Sequence, residues 1–302
     1  MDSTDKTSKL GTRMMPYLAI LQHDLRALRA SRLVRLWLAA TAVLTLVLAM
    51  ANWSKFQNAP LIASLLFPYL VFPWFFVVVV LGVSPVSGSR AEALADGILS
   101  RPVGRCEYLL ATWSARVVLV WGIYLLVLIP AIALVTLARR PVPEDTVTIY
   151  GTVTTLFLVG LVLTFLVSLG FLMGTLLRKP LLAVVVLIFL WYPISYILSV
   201  FSLEEFSPIS LNRALCTQLR QSWCQVEGES KVNINQDAVP SQFSQILSVL
   251  SGTKPEPKVE KPEFFETEEF DDFSLLRVTL GYGLPTLIAV ILAALSFYLR
   301  DL

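Results

Sequence analysis

The residues that ordinarily do chemistry are sparse in this sequence and do not gather. The only histidine, His23, stands among arginines in PYLAILQHDLRALRASRLVR (16–35), where it reads as one more polar residue on an exposed helical face. There are 3 cysteines: Cys106 alone, and Cys216 with Cys224 in a polar region further on. No Gly-Lys pair occurs anywhere, which removes the G-x-x-x-x-G-K-[ST] loop whose amides cradle nucleotide phosphates. No serine sits in a nucleophile-elbow context, and no His, Cys and carboxylate set has the spacing of a metal site. The chain is therefore expected not to be an enzyme, and to carry no catalytic residue, cofactor or metal of its own. One polar stretch stands apart: SRAEALADGILSRPVGR (89–105), charged, punctuated by proline, and flanked by long apolar runs.

Those runs decide the class of protein. Of 302 residues, 56% are hydrophobic and only 15% charged, against roughly a quarter charged in soluble domains. Six windows, about 36–54, 61–83, 117–138, 151–177, 181–203 and 278–299, contain no Asp, Glu, Lys, Arg or His. Each approaches or exceeds the roughly 20 residues that a membrane-spanning helix needs. The first run begins after a long polar and basic stretch and ends at Asn52-Trp53-Ser54-Lys55, without a small-residue cleavage site. It reads as a retained helix rather than a signal peptide.

Lys and Arg set the orientation. The amino-terminal arm, the 84–116 segment, Arg178-Lys179 and Arg300 together carry 14 basic and 7 acidic residues; the other side carries 10 basic and 15 acidic. The expected fold is thus an all-α, multi-pass protein of the cell inner (plasma) membrane with six transmembrane helices and both termini cytoplasmic. Arg139-Arg140 is a local exception on the outer side, beside Glu144 and Asp145.

Four regions follow from this layout. Residues 1–35 form a cytoplasmic arm, polar and unstructured to about 13, then an amphipathic helix with Leu18, Leu21, Leu25 and Leu28 on one face. Its stripe of Arg26, Arg29, Arg32 and Arg35 would meet acidic lipid headgroups. Residues 36–203 hold five spans and the polar loop 84–116. Prolines 68, 73, 130, 193 and 285 fall within spans, where each can kink a helix. Gly170-x-x-x-Gly174 permits close helix approach and reads as packing rather than a dimer seam.

Residues 204–274 form an extracytoplasmic loop or small insertion. In it Leu211, Leu215, Leu219 and Trp223 mark a short helix resting on the membrane. A second short helix is expected at 241–250, followed by a proline-rich acidic tether. Residues 275–302 are the sixth span and a short cytoplasmic tail.

Cys216 and Cys224 are a candidate disulfide pair in an exported loop. If 211–224 is one helix, however, the pair lies about 12 Å apart along the axis, beyond the roughly 7 Å a disulfide tolerates. Helix and bond exclude each other unless the helix ends near Trp223.

Carriers driven by ion gradients commonly hold titrating side chains inside their spans. None of the six windows contains one, so any energy for transport is expected to enter from the cytoplasmic side. Residues Arg90 to Leu99 read as a short polar helix with Glu92 near its amino end. Arg101-Pro102 breaks it, and from Gly104 the chain climbs back into the membrane as CEYLLATWSARV.

SRAEALADGILSRPVGRCEYLLATWSARV resembles the cytoplasmic signature of the ABC-2 type transporter permeases. The core of the resemblance is Ile98-Leu99-Ser100-Arg101-Pro102-Val103-Gly104-Arg105, followed by Tyr108. It departs from the family pattern at Ala93, where glycine is common, and at Ser89 and Ala91, where acidic residues are common. With the basic amino-terminal helix and the six-span layout, the resemblance covers most of the chain outside 204–274.

The resemblance implies that 89–105 is a coupling helix seated in a groove of a separate cytoplasmic ABC ATPase subunit, which would hold the ATP and Mg. Arg90, Glu92, Asp96, Arg101 and Arg105 would make polar contacts, Leu94, Ile98 and Leu99 apolar ones, and Pro102 would set the turn. A second permease chain, identical or sister, would complete the transporter among membrane lipids, with no nucleic acid involved. The amino-terminal helix would act as a lever, and the loop after the fifth span as an outer gate. The uncharged, aromatic-rich spans suit export of a hydrophobic or amphipathic cargo. Two other readings compete: a mechanotransmission subunit acting on extracytoplasmic partners, and an unpartnered channel or scaffold.

Overall fold

A computed structural model describes residues 3–91, 105–138, 140, 146–177, 179–200, 208–220 and 275–299. Among these residues there are nine helices and no strand: α1 (Ser3–Ala30), α2 (Arg32–Asn52), α3 (Asn58–Leu70), α4 (Trp74–Ala91), α5 (Arg105–Leu137), α6 (Ile149–Leu176), α7 (Pro180–Val200), α8 (Pro208–Arg220) and α9 (Leu275–Leu299). Five stretches are long and apolar enough to cross a membrane: Arg32–Asn52, Asn58–Ser84, Cys106–Leu137, Ile149–Leu176 and Leu275–Phe297. By length and composition the chain is a multi-pass membrane protein. Helix α7 adds 21 residues, PLLAVVVLIFLWYPISYILSV.

Local chemistry explains the boundaries. Ser31 has an extended backbone and accepts the Val34 N–H at 3.2 Å, a serine N-cap that starts α2 as α1 ends. Thr148 caps α6 in the same way, accepting from Gly151 N at 2.9 Å. Pro68, Pro130, Pro193 and Pro285 all lie inside helices. Only Pro73, next to the cis Phe72–Pro73 peptide, stands in an interruption. It has no N–H to give the Tyr69 carbonyl, and α3 and α4 are separate helices on either side of it.

Helix α6 is the hub. It packs against α3, α4, α5, α7, α8 and α9, so apolar residues surround it, as expected of a helix with no solvated face. The closest seam is with α4. A Cβ on Gly170 would stand 3.0 Å from Val79 O and 3.1 Å from Gly82 Cα, and one on Gly174 would stand 2.8 Å from Val83 O. Gly170-x-x-x-Gly174 therefore brings two helices of one chain together. The α5 seam is stitched by polar pairs: Trp113 Nε1 to Ser168 Oγ at 3.0 Å, Trp121 Nε1 to Thr164 Oγ1 at 2.9 Å, and Tyr124 Oη to Leu156 O at 3.2 Å.

Three features differ from the sequence expectation. Helix α1 runs from Ser3, so the polar residues after it are helical rather than unstructured. The second span is broken in two. Helix α8 is not a surface helix. Leu211, Asn212, Ala214, Leu215, Cys216, Gln218 and Leu219 are all buried, because α8 inserts against α3 and α6. Gly151 of α6 makes room for the Leu219 carbonyl, and Thr148 N–H donates to that carbonyl at 3.1 Å.

Candidate functional site

The polar stretch 89–105 lies between the ends of two long helices. Arg90 is the penultimate residue of α4 and Arg105 the first of α5. Glu92, Leu94, Asp96, Ile98, Leu99, Arg101 and Pro102 lie outside the described residues. What the structure shows is the frame that carries them, which is more tightly tied than the sequence indicated.

Helix α1 packs along the first turns of α5. Tyr17 Oη and Ser114 Oγ share a hydrogen bond of 2.6 Å, and Asp24 Oδ2 stands 3.9 Å from a guanidinium nitrogen of Arg116. The basic side of α1 faces outward, with His23, Arg26 and Arg29 exposed.

Arg116 is the centre of this frame. Helix α5 continues unbroken from Arg105 to Leu137, so Arg116 sits within the spanning stretch rather than in the loop before it, and only 7% of it is exposed. Its Nε donates to Leu81 O of α4 at 3.1 Å, and a terminal nitrogen donates to Thr112 O at 2.7 Å. Leu81 is four residues before Pro85. The carbonyl at that spacing normally accepts the i+4 amide, which proline lacks. Arg116 supplies the missing donor, with Ser84 Oγ as a second at 3.2 Å. One side chain thus joins α1, α4 and α5 at the root of the 89–105 stretch.

The opposite end of the bundle has its own arginine clamp. Arg140 donates to Trp53 O at 3.2 Å and Phe56 O at 3.0 Å, and also to Asn58 Oδ1. Its guanidinium carbon lies 5.5 Å from the centre of the Trp53 ring, in cation–π range. Trp53 is the C-cap of α2, where a helix dipole favours a cation, and Phe56 lies in the turn that leads to α3. Burial pulls the Arg140 pKa below its ordinary value. Arg140 is therefore a tie across the α2–α3 turn, which explains a positive charge on that side. Nearby, Arg220 of α8 donates to Gln57 Oε1 at 3.3 Å.

No family model and no curated protein matches this chain.

Among the described residues no group of three His, Cys, Asp or Glu is placed to hold a metal ion. Cys216 is buried in α8 and Cys224 lies outside the described residues, so the candidate disulfide does too. Sequence reasoning missed Arg116, its partner Asp24, Pro85 and Arg140. For Arg116 the signal was present: CEYLLATWSARV has no helix breaker between Arg105 and the apolar run. The helix therefore starts at the earlier arginine, and the later one is carried about 16 Å along it.

Proposed function

We propose that this chain is the membrane-spanning permease subunit of an ATP-driven ABC transporter. In this reading it exports a hydrophobic or amphipathic substrate, and a separate cytoplasmic ATPase energises it through the 89–105 coupling helix. It has six spans, α7 included, lies in the plasma membrane with both termini cytoplasmic, and works beside a second permease chain. The ABC-2-like run Ile98 to Arg105 is the sequence basis.

The observation that carries the reading is the Arg116 knot. A device that converts motion at 89–105 into motion of the spans needs its flanking helices to move together. Arg116 fastens α5 to the Leu81 carbonyl of α4 and lies beside Asp24 of α1. A push on the coupling helix then displaces α1, α4 and α5 as one body, the kind of rigid-body step that switches packed helices between discrete states. Through the glycine seam it reaches α6 and, at the far end, the inserted helix α8.

The test is affinity purification of the tagged chain from gently solubilised native membranes, with mass spectrometry and an ATPase assay, comparing the native chain with Arg101→Glu/Arg105→Glu. The expected result is a soluble ATP-binding protein that co-purifies with the native chain and is lost from the double variant. Recovery of no ATPase with the folded native chain refutes the reading.

A further inference from the structure

We propose that Tyr69, Thr155 and Asn212 form a binding site, between α3, α6 and α8, for an uncharged vicinal diol, the polar group of glycerol, sugars and monoacylglycerols. The site stands on side-chain placement alone. If the transporter reading also holds, this is where the headgroup of an amphipathic cargo is recognised.

The contact between α6 and α8 fixes where Thr155 and Asn212 lie. Thr148 N–H donates to Leu219 O at 3.1 Å, and Gln218 Nε2 donates to Thr154 Oγ1 at 3.2 Å. Helix α8 lies over α6 rather than extending past its start, because Leu211, Asn212, Leu215 and Leu219 are all buried. The two helices are therefore antiparallel. Thr155 follows Thr148 by seven residues, and Asn212 precedes Leu219 by seven. Seven residues are two turns, about 10 Å of rise with a drift of only ~20°. Both residues thus stay on the shared seam and reach the same depth.

Tyr69 joins this layer from α3. The hydrogen bond of 3.3 Å from Arg220 to Gln57 Oε1 holds the start of α3 beside the end of α8, so α3 descends from the same level. The Tyr69 ring centre is 5.1 Å from that of Tyr124, and Tyr124 Oη donates to Leu156 O at 3.2 Å, next to Thr155. A helical side chain leans toward the start of its helix, which carries the Tyr69 hydroxyl up toward the level of Asn212.

Tyr69 and Asn212 are 0% exposed and Thr155 1%. Tyr69 Oη, Thr155 Oγ1 and both amide atoms of Asn212 have no hydrogen-bond partner among the described residues. Phe, Val and Leu fill nearly the same volumes without burying an unpaired dipole. Three residues in one layer that give up stability in this way mark a site kept for a ligand. Trp37, Trp74 and Thr112 also carry unpaired polar atoms, but they stand near the starts of α2, α4 and α5, deeper in the bundle or at its opposite end.

The three side chains offer hydroxyls and a carboxamide and no charge, which suits an uncharged ligand; a phosphate or ammonium would give up its hydration to them without gaining a counter-charge. A carboxamide accepts at Oδ1 and donates at Nδ2. Adjacent hydroxyls of a diol pair with both ends at once, one donating and one accepting. The Tyr69 and Thr155 hydroxyls can each donate or accept and take up the remaining lone pairs and protons. A single hydroxyl or an ester leaves part of the set unpaired.

The test is thermal unfolding of the full chain purified in lauryldimethylamine oxide, a detergent without hydroxyl groups. The probe is 1-monooleoylglycerol, and the control is methyl oleate, which has the same acyl chain without the diol. A parallel arm with glycerol separates a free polyol from a lipid headgroup. The expected result is a saturable rise in Tm of about 5–11 °C at roughly 100 times the Kd of the diol, absent with methyl oleate. It should be lost in Asn212→Leu and Thr155→Val and kept in Thr155→Ser. The first two variants remove only unpaired polar atoms, so folding is preserved. A rise with monooleoylglycerol alone assigns a lipid headgroup, and a rise with glycerol assigns a free polyol. No rise with either diol on the folded native chain overturns the proposal, as does an equal rise with methyl oleate or an equal rise in Asn212→Leu. ATPase co-purification is read separately: diol binding without an ATPase leaves this site standing and removes the transporter reading, and the reverse pattern does the opposite.

Discussion

Replacing Arg116 by Met should destabilise the chain, and replacing Pro85 by Ala should remove most of that cost. In the native chain, Arg116 Nε lies 3.1 Å from the Leu81 carbonyl that Pro85 leaves without an amide. A hydrogen bond from a charged group is worth about 1.5–3 kcal/mol. Ser84 Oγ at 3.2 Å remains as a donor in the variant, which argues for the lower part of that range. The Asp24 contact, at 3.9 Å with a partly exposed carboxylate, adds about 0–1 kcal/mol. Removing a buried cation returns part of the loss, because its desolvation was unfavourable. The net expectation is about 1–2 kcal/mol. For a protein of this size that is roughly 2–8 °C in Tm, taking about 2–4 °C per kcal/mol.

With Ala at 85 the helix supplies its own N–H to Leu81, and Arg116→Met should then be neutral or stabilising. The four chains, measured by thermal unfolding of detergent-purified protein, form a double-mutant cycle. The coupling should exceed the roughly 0.3–0.5 kcal/mol scatter of independent sites. Equal shifts in both backgrounds, or a higher Tm for Arg116→Met in the native background, would refute the reasoning.

Asp24→Asn should cost under about 1 kcal/mol in the same assay, because Arg116 keeps both carbonyl acceptors. Gly170→Val should lower stability by about 1–3 kcal/mol or more by forcing α4 from α6, whereas Gly283→Ala, with none of the described residues within 4 Å of the new Cβ, should be neutral or stabilise by up to about 1 kcal/mol; opposite signs in thermal unfolding are the check. Arg140→Ala should cost about 2–4 kcal/mol by removing charged donors from the Trp53 and Phe56 carbonyls; Arg140→Lys should recover only part of this, since an ammonium lacks the planar fork. Asn212 is fully buried and neither of its side-chain polar atoms has a hydrogen-bond partner among the described residues, so Asn212→Leu should raise stability by about 1–3 kcal/mol; a fall in Tm would show that the amide is satisfied.

The spans were legible because a bilayer imposes one simple demand, a long apolar run without charge, and α2, α5, α6 and α9 meet it in sequence. Less legible was anything that depended on a partner across the bundle. Leu211, Leu215 and Leu219 give the same stripe whether α8 rests on a membrane or inserts between helices; the deciding contact is with Gly151 of α6, some 60 residues away. The break at Pro73 was equally hidden among Pro68, Pro130, Pro193 and Pro285, which carry the same local signal yet stay within helices.

Charge was misread for a related reason. A sequence places an arginine on a side of the membrane by counting, and counting put Arg116 in a polar loop and left Arg140 as an exception. Both are instead donors to backbone carbonyls that the helices cannot satisfy: one freed by Pro85 within α4, the others in the turn from α2 to α3. The carbonyl's need precedes the arginine's position, so the sequence signal to seek is paired. A proline near the end of one apolar run and an arginine just inside the next mark a cross-helix tie, and here that tie lies at the root of the stretch proposed to receive the ATPase.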